Sequence, residues 1–139
     1  MSDPTNTDDL SFLGNPTPGF PASPDEAELE TFPNPRPGRA YEIQLDYPEF
    51  SSLCPVTGQP DTARLRLAYV PGERCVETKS LKLYLQSFRN HKGFNEDIAN
   101  RIADDILSVC SPRKLQLTAN FSARGGIALT VEIRHPEEG

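Results

Sequence analysis

The chain has 139 residues, with 14 Lys and Arg against 20 Asp and Glu and a formal charge of -6. That length holds one domain with a modest core, so a large active-site cleft would have to be shared between subunits. The acidic balance argues against a duplex-binding surface, which carries a basic stripe, and suits a small-molecule substrate with no nucleic-acid partner.

Residues 1–38 are rich in Pro, Asp, Glu, Thr and Asn, with apolar residues scattered singly. Such a segment cannot build a core. It reads as an arm, disordered or laid across a neighbouring surface, with Leu10, Phe12, Leu13, Phe20 and Phe32 as anchors and one helical turn over 25–30. The folded domain is expected over 39–139. Tyr41, Ile43 and Leu45 alternate with Glu42, Gln44 and Asp46, the pattern of a half-buried strand. The stretch 48–60 is dense in Pro, Ser and Gly and reads as a loop. A second strand alternates through Ala63, Leu65, Leu67 and Tyr69 and ends at Pro71-Gly72.

Leu81, Tyr84, Leu85 and Phe88 keep helical spacing and predict a helix over 80–90. Ile98, Ile102 and Ile106, with Ala99, Ala103 and Val109, mark a second helix. Asn95 is placed as its N-cap, Glu96 and Asp97 sit in its first turn, and Pro112 lies beyond its end. Leu115, Leu117, Ala119 and Phe121 form a third strand, Arg124-Gly125-Gly126 a turn, and Ile127, Leu129, Val131 and Ile133 a fourth strand.

The order strand-strand-helix-helix-strand-strand predicts an α+β fold, an antiparallel four-stranded sheet with two helices on one face. Its open face and two free edges are a liability in a monomer, so a homo-oligomer is expected. No apolar run can span a bilayer, and the acidic, Pro-rich start does not resemble a signal peptide. The expectation is a soluble, cytoplasmic protein without a membrane partner. No Gly-x-Gly-x-x-Gly follows a strand, which excludes a Rossmann cofactor site.

Three segments carry chemistry-bearing residues. Three cysteines (Cys54, Cys75 and Cys110), with no Cys-x-x-Cys spacing and only two histidines, argue for reduced thiols and against a structural metal. Cys75 and Cys110 have apolar neighbours and read as packing thiols. Cys54 lies in the polar loop Ser51-Ser52-Leu53-Cys54-Pro55-Val56-Thr57-Gly58-Gln59-Pro60-Asp61. There Asp61 is a proton donor if a dry pocket raises its pKa, or simply a cap to the strand that follows. In Glu77-Thr78-Lys79-Ser80-Leu81-Lys82, two lysines share one face at a helix start, which suits a phosphate or a solvated basic face equally. In Phe94-Asn95-Glu96-Asp97, a carboxylate at a helix start can accept paired hydrogen bonds from a guanine-like edge, or serve only as N-terminal helix charge.

Taken together, the segments resemble the 7-cyano-7-deazaguanine reductase family, the NADPH-dependent nitrile reductases of queuosine biosynthesis. The resemblance runs from about Phe32-Pro33 to Arg124-Gly125-Gly126-Ile127. It is most specific in Ser-Leu-Cys-Pro-x-Thr-Gly-Gln-Pro-Asp at 52–61 and Val-Glu-Thr-Lys-Ser-Leu-Lys-Leu-Tyr-Leu-x-Ser-Phe-Arg-Asn-His at 76–91. It implies the tunnelling fold, in which sheets of several subunits join into a barrel with sites at subunit interfaces. It casts Cys54 as the nucleophile that forms a thioimide with the nitrile carbon, and Asp61 as the proton donor. Val76, Glu77, Thr78, Asn95 and Glu96 fall at substrate positions, and Lys79 and Lys82 in the stretch used for NADPH. The deazapurine nitrile would consume two NADPH on its way to the amine. Three departures stand out: Asn95 replaces a common His, Thr78 a usual Ser or Leu, and the tail after Gly126-Ile127 is short and differs from that of longer members. The rival reading is a non-redox transferase that moves an amidino group onto a nitrile base in tRNA, as archaeal relatives do.

Overall fold

The computed structural model describes residues 20–137. Six strands and two helices follow in the order β1 (Thr31–Pro33), β2 (Ile43–Leu53), β3 (Pro60–Val70), β4 (Arg74–Val76), α1 (Thr78–Gln86), α2 (Asn95–Cys110), β5 (Lys114–Arg124) and β6 (Ile127–His135). A 3-10 turn over Ser87–Asn90 separates the helices. The main sheet is antiparallel in the order β2-β3-β5-β6, and β1 pairs with β4 in a separate ribbon.

The alternation read in the sequence sets the faces. Leu65, Leu67 and Tyr69 of β3 and Leu115, Leu117, Ala119 and Phe121 of β5 are buried, as are Leu81, Tyr84, Leu85, Ile98, Ile102 and Ile106 of the helices, and together they form one core. The other face of the sheet is polar. Glu42, Gln44, Asp46, Arg66, Gln116 and Thr118 line an open concavity of about 590 Å³ there. α2 ends at Cys110, with Ser111 in the left-handed region (φ 42°), immediately before Pro112.

Four expectations need correction. The stretch 48–60 is not all loop: β2 runs on to Leu53 and β3 begins at Pro60, leaving only Cys54–Gln59 between them. Pro48 is accommodated because the β2–β3 register slips between Tyr47 and Phe50, and Pro60 because it opens its strand. The first helix stops at Gln86 and tightens into the 3-10 turn. The N-cap of α2 is Phe94, and Asn95 is the first helical residue.

The arm, finally, is not anchored by its aromatics. Phe20 and Phe32 are 62% and 44% exposed, whereas Ala27 and Leu29 pack on the core and Asn34 is buried. Asn34 donates to the Gly72 carbonyl and accepts from Tyr41, and β1 closes on β4. The turn expected over 25–30 is centred at Pro24–Glu26. Leu10, Phe12 and Leu13 lie outside the described residues. No described helix is long and apolar enough to cross a membrane.

Candidate active site

The end of the sheet where β2 turns into β3 gathers the first and third segments. In the turn, Cys54 N donates to the Gln59 carbonyl at 2.8 Å and Gly58 N to the Cys54 carbonyl at 2.9 Å. Gly58 has φ +73°, which a residue with a side chain adopts only with strain. The turn folds Thr57 N back onto Cys54 Sγ at 3.5 Å. Cys54 is partly exposed, and the Thr57 side chain, then the Thr57 and Val56 backbone, hold its thiol below the ordinary value. Cys75 and Cys110 are buried, and burial pushes Cys110 up to about 11. Of the three, Cys54 has the nucleophile's surroundings.

Asp61 is the second residue of β3 and pairs directly with Ser52. Opposed residues of an antiparallel pair share a face, with Cβ atoms about 5 Å apart. The next inward pair, Phe50 and Ala63, lies in the core, so Ser52 and Asp61 also face the helices. Asp61 is only 11% exposed in its side chain, and Arg124 Nε meets its Oδ1 at 3.0 Å.

The link to α2 follows the same end. Leu53 N donates to the His91 carbonyl at 2.9 Å and Gly93 N to the Leu53 carbonyl at 3.2 Å, so 91–93 lies beside the strand that leads into Cys54. The His91 ring stands edge-on against Phe88, 5.5 Å between centroids. This stitching sets the start of α2, with Asn95 and exposed Glu96, near the cysteine turn. Among the described residues, two buried side-chain polar atoms lack a partner, Ser52 Oγ and Asn95 Oδ1, and both sit here. A buried polar atom without a partner is costly, so two at one end of the sheet mark a place built to receive one. Ser52 and Arg124 were not singled out from the sequence, because neither strand register nor a contact across the sheet can be read there.

The second segment lies elsewhere. Val76 N donates to the Tyr69 hydroxyl at 3.0 Å, at the far end of β3 from Asp61. Asp61 and Tyr69 are roughly 26 Å apart along the strand at ~3.3 Å per residue. One subunit therefore brings Cys54, Asp61, Asn95 and Glu96 together but not Val76, Glu77, Thr78, Lys79 and Lys82. Val76 as a whole is 3% exposed and packs in the core. Glu77 caps α1, its Oε2 accepting from Lys79 N at 2.8 Å and its Oε1 from Ser80 N at 2.7 Å. That cap occupies the backbone N–H groups expected to favour an anion, so anion binding there falls to the side chains. Lys79 is half-buried and Lys82 exposed, and among the described residues neither is in an ion pair. No three described His, Cys, Asp or Glu side chains come together as a metal site requires.

Comparison with known proteins supplies the context. The family model described as QueF-like protein matches residues 60–139. A curated NADPH-dependent 7-cyano-7-deazaguanine reductase of Anaeromyxobacter sp. (strain K) is 54% identical over 118 residues, covering 85% of this chain and 96% of that protein. The proteins of the same name from Thiobacillus denitrificans and Magnetococcus marinus are 52% and 50% identical, over 86% and 83% of this chain and 86% and 90% of theirs. The crystal structure of the archaeosine synthase QueF-Like in the apo form superposes with a TM-score of 0.62 at 16% identity, covering 71% of this chain and 95% of that one, which is a likeness of fold. The cysteine turn with its adjoining acid and the match along most of both sequences lead to one assignment: the chain belongs to the QueF-like family, with the NADPH-dependent 7-cyano-7-deazaguanine reductases.

Proposed function

We propose that this chain reduces the nitrile of 7-cyano-7-deazaguanine to the aminomethyl group with two NADPH, in the queuosine branch of tRNA modification, through a thioimide on Cys54. The observation that supports this best is the sheet end just described. It holds a thiol below its ordinary pKa, a nearly buried carboxylate on the helix-facing side, and two polar atoms awaiting partners. The transferase reading has no comparable support, since the archaeosine synthase shares only the fold at 16% identity.

The steps follow from the residue types. Cys54 sulfur adds to the nitrile carbon, one C–N π bond breaks, and its electron pair goes to nitrogen. Asp61, whose Oδ1 meets Arg124 Nε, relays the thiol proton to that nitrogen, so adduct formation needs no other proton. Asn95 Oδ1 and the Glu96 carboxylate accept N–H groups of the deazapurine, with Val76, Glu77 and Thr78 completing the pocket. Two further protons, one for each hydride, come from solvent through Asp61, the Cys54 thiolate leaves the reduced adduct, and closure of the site to bulk water protects the imine that results. NADPH, when bound, supplies the two hydrides. The ammonium groups of Lys79 and Lys82, in no ion pair among the described residues, fit its phosphates.

The substrate-facing residues divide between the two ends of β3, so we place the complete site between subunits of a homo-oligomeric barrel in the cytoplasm. Incubation with the nitrile base and NADPH tests the reading. Two NADPH should be oxidised per amine formed, and nitrile consumption without oxidation would overturn it. Mixed oligomers of Cys54→Ala and Lys79→Ala/Lys82→Ala subunits should turn over faster at low NADPH than the lysine variant alone. No recovery on mixing would place the site within one subunit.

A further inference from the structure

Arg124 is the last residue of β5, and no step above needs it except as the partner of Asp61. Its guanidinium reaches from the β5–β6 hairpin to the first two residues of β3. Nε meets Asp61 Oδ1 at 3.0 Å, and Nη2 donates to the Pro60 carbonyl at 2.7 Å. The local backbone is irregular in a way that allows the reach. The β5–β6 register slips between Phe121 and Arg124, and Gly125 and Gly126 take φ of +57° and +87°. An ion pair between two exposed side chains contributes little. Here the acid is 11% exposed against 41% for the arginine, and the guanidinium is fixed a second time by a backbone carbonyl. Two anchored donors from one rigid fork define where the carboxylate sits, which a single flexible ammonium does not.

We propose that Arg124 is a positioning residue for the reaction: it holds Oδ1 of Asp61, so that Oδ2 is the oxygen that receives the Cys54 proton and hands it to the nitrile nitrogen. The proposal rests on reading Asp61 as the proton-transfer group. In the step concerned the C–S bond forms, one C–N π bond breaks, and the proton lost by sulfur is the one gained by nitrogen. Arg124 contributes by fixing the carrier between them. Misplacement of a reacting group by about 1 Å is enough to cost 100-fold in rate.

The test is the rate of thioimide formation without NADPH, followed by intact mass, in Arg124→Gln, Arg124→Lys, Asp61→Asn and the double variant Asp61→Asn/Arg124→Gln. Arg124→Gln should form adduct about 10- to 100-fold more slowly with unchanged nitrile affinity. Arg124→Lys should recover part of the loss, because it restores charge without the fork. The double variant should be no slower than Asp61→Asn alone, since a residue acting through Asp61 has nothing left to position. A wild-type adduct rate in Arg124→Gln, beside a slow Asp61→Asn, would overturn the role of Arg124 and leave that of Asp61 standing. A wild-type rate in Asp61→Asn would overturn the reading of Asp61 itself. A further loss in the double variant, or a raised NADPH Michaelis constant with normal adduct formation, would show Arg124 acting elsewhere. If Arg124→Gln does not fold, Arg124→Lys carries the test, and a wild-type adduct rate in it overturns the proposal.

Discussion

Replacing Asn95 by Ala removes a half-buried amide whose Oδ1 has no hydrogen-bond partner within the described chain. In the free protein that acceptor is a cost, about 1–3 kcal/mol for a buried group left unmade. The substitution loses no cap, because Phe94 holds the N-cap position of α2. Ala also favours the helix by a few tenths of a kcal/mol. Set against the packing lost with the amide, the net expectation is a gain of about 1 kcal/mol and a rise of a few degrees in Tm. Substrate binding should move the other way. If Oδ1 accepts an N–H of the deazapurine, its loss weakens binding by about 1–2 kcal/mol, or roughly 5- to 30-fold in Kd. Thermal melts without ligand give the first quantity. Calorimetric titration with the nitrile in a Cys54→Ala background, where no adduct forms, gives the second. A variant that is less stable and binds the nitrile normally would refute the reasoning, for the amide would then be structural. Asn95→His should keep binding near its original strength and add an ionisation at about pH 6–7 to the rate profile.

Cys54→Ala should abolish both turnover and the mass adduct, whereas Cys75→Ala and Cys110→Ala should keep the adduct, their thiols being buried in the fold; an adduct surviving in Cys54→Ala sinks the assignment. Lys79→Ala with Lys82→Ala should raise the Michaelis constant for NADPH more than that for the nitrile, and more so at low salt, where charge attraction is least screened. Thr57→Val removes the hydroxyl that leads in holding the Cys54 thiol below 9.0. The pH midpoint of Cys54 alkylation should therefore move up and its rate at neutral pH should fall; an unchanged midpoint would assign the shift to the turn's backbone alone.

Periodicity made most of the fold legible. Alternation at 63–69, 115–121 and 127–133, with isoleucines at 98, 102 and 106, marked three strands and one helix close to their observed places. The misses have physical causes. Pro48 and the run of serines disguised the second half of β2, because proline is admitted where strand register is broken. Asn95 has a good capping side chain, yet Phe94 is the residue with extended backbone (φ -69°, ψ 145°). The capping role of Glu77, which bonds Lys79 N and Ser80 N, was not read from the sequence, where the two lysines drew the attention. Ser52 and Arg124 stayed out of sight because their meaning depends on register and on a contact between strands distant in sequence.

The resemblance implies which residues form the site but not how far apart one chain holds them. The proposed roles fall at both ends of β3. The Cys54 end has the proposed nucleophile and its acid, and the Tyr69 end leads into Glu77, Thr78 and the lysines of α1. Two concavities of the single chain, about 350 and 590 Å³, are lined by neither Cys54 nor Asp61. Meanwhile β2 and β6 bound the four-stranded sheet with no partner strand on their outer sides among the described residues, over 11 and 9 residues. Long free edges attract other strands, and the helices cover only one face, so joining copies edge to edge would continue the sheet rather than bury the polar side. The edges left unpaired among the described residues thus offer a route to joining copies, by which the site proposed above would draw on more than one chain.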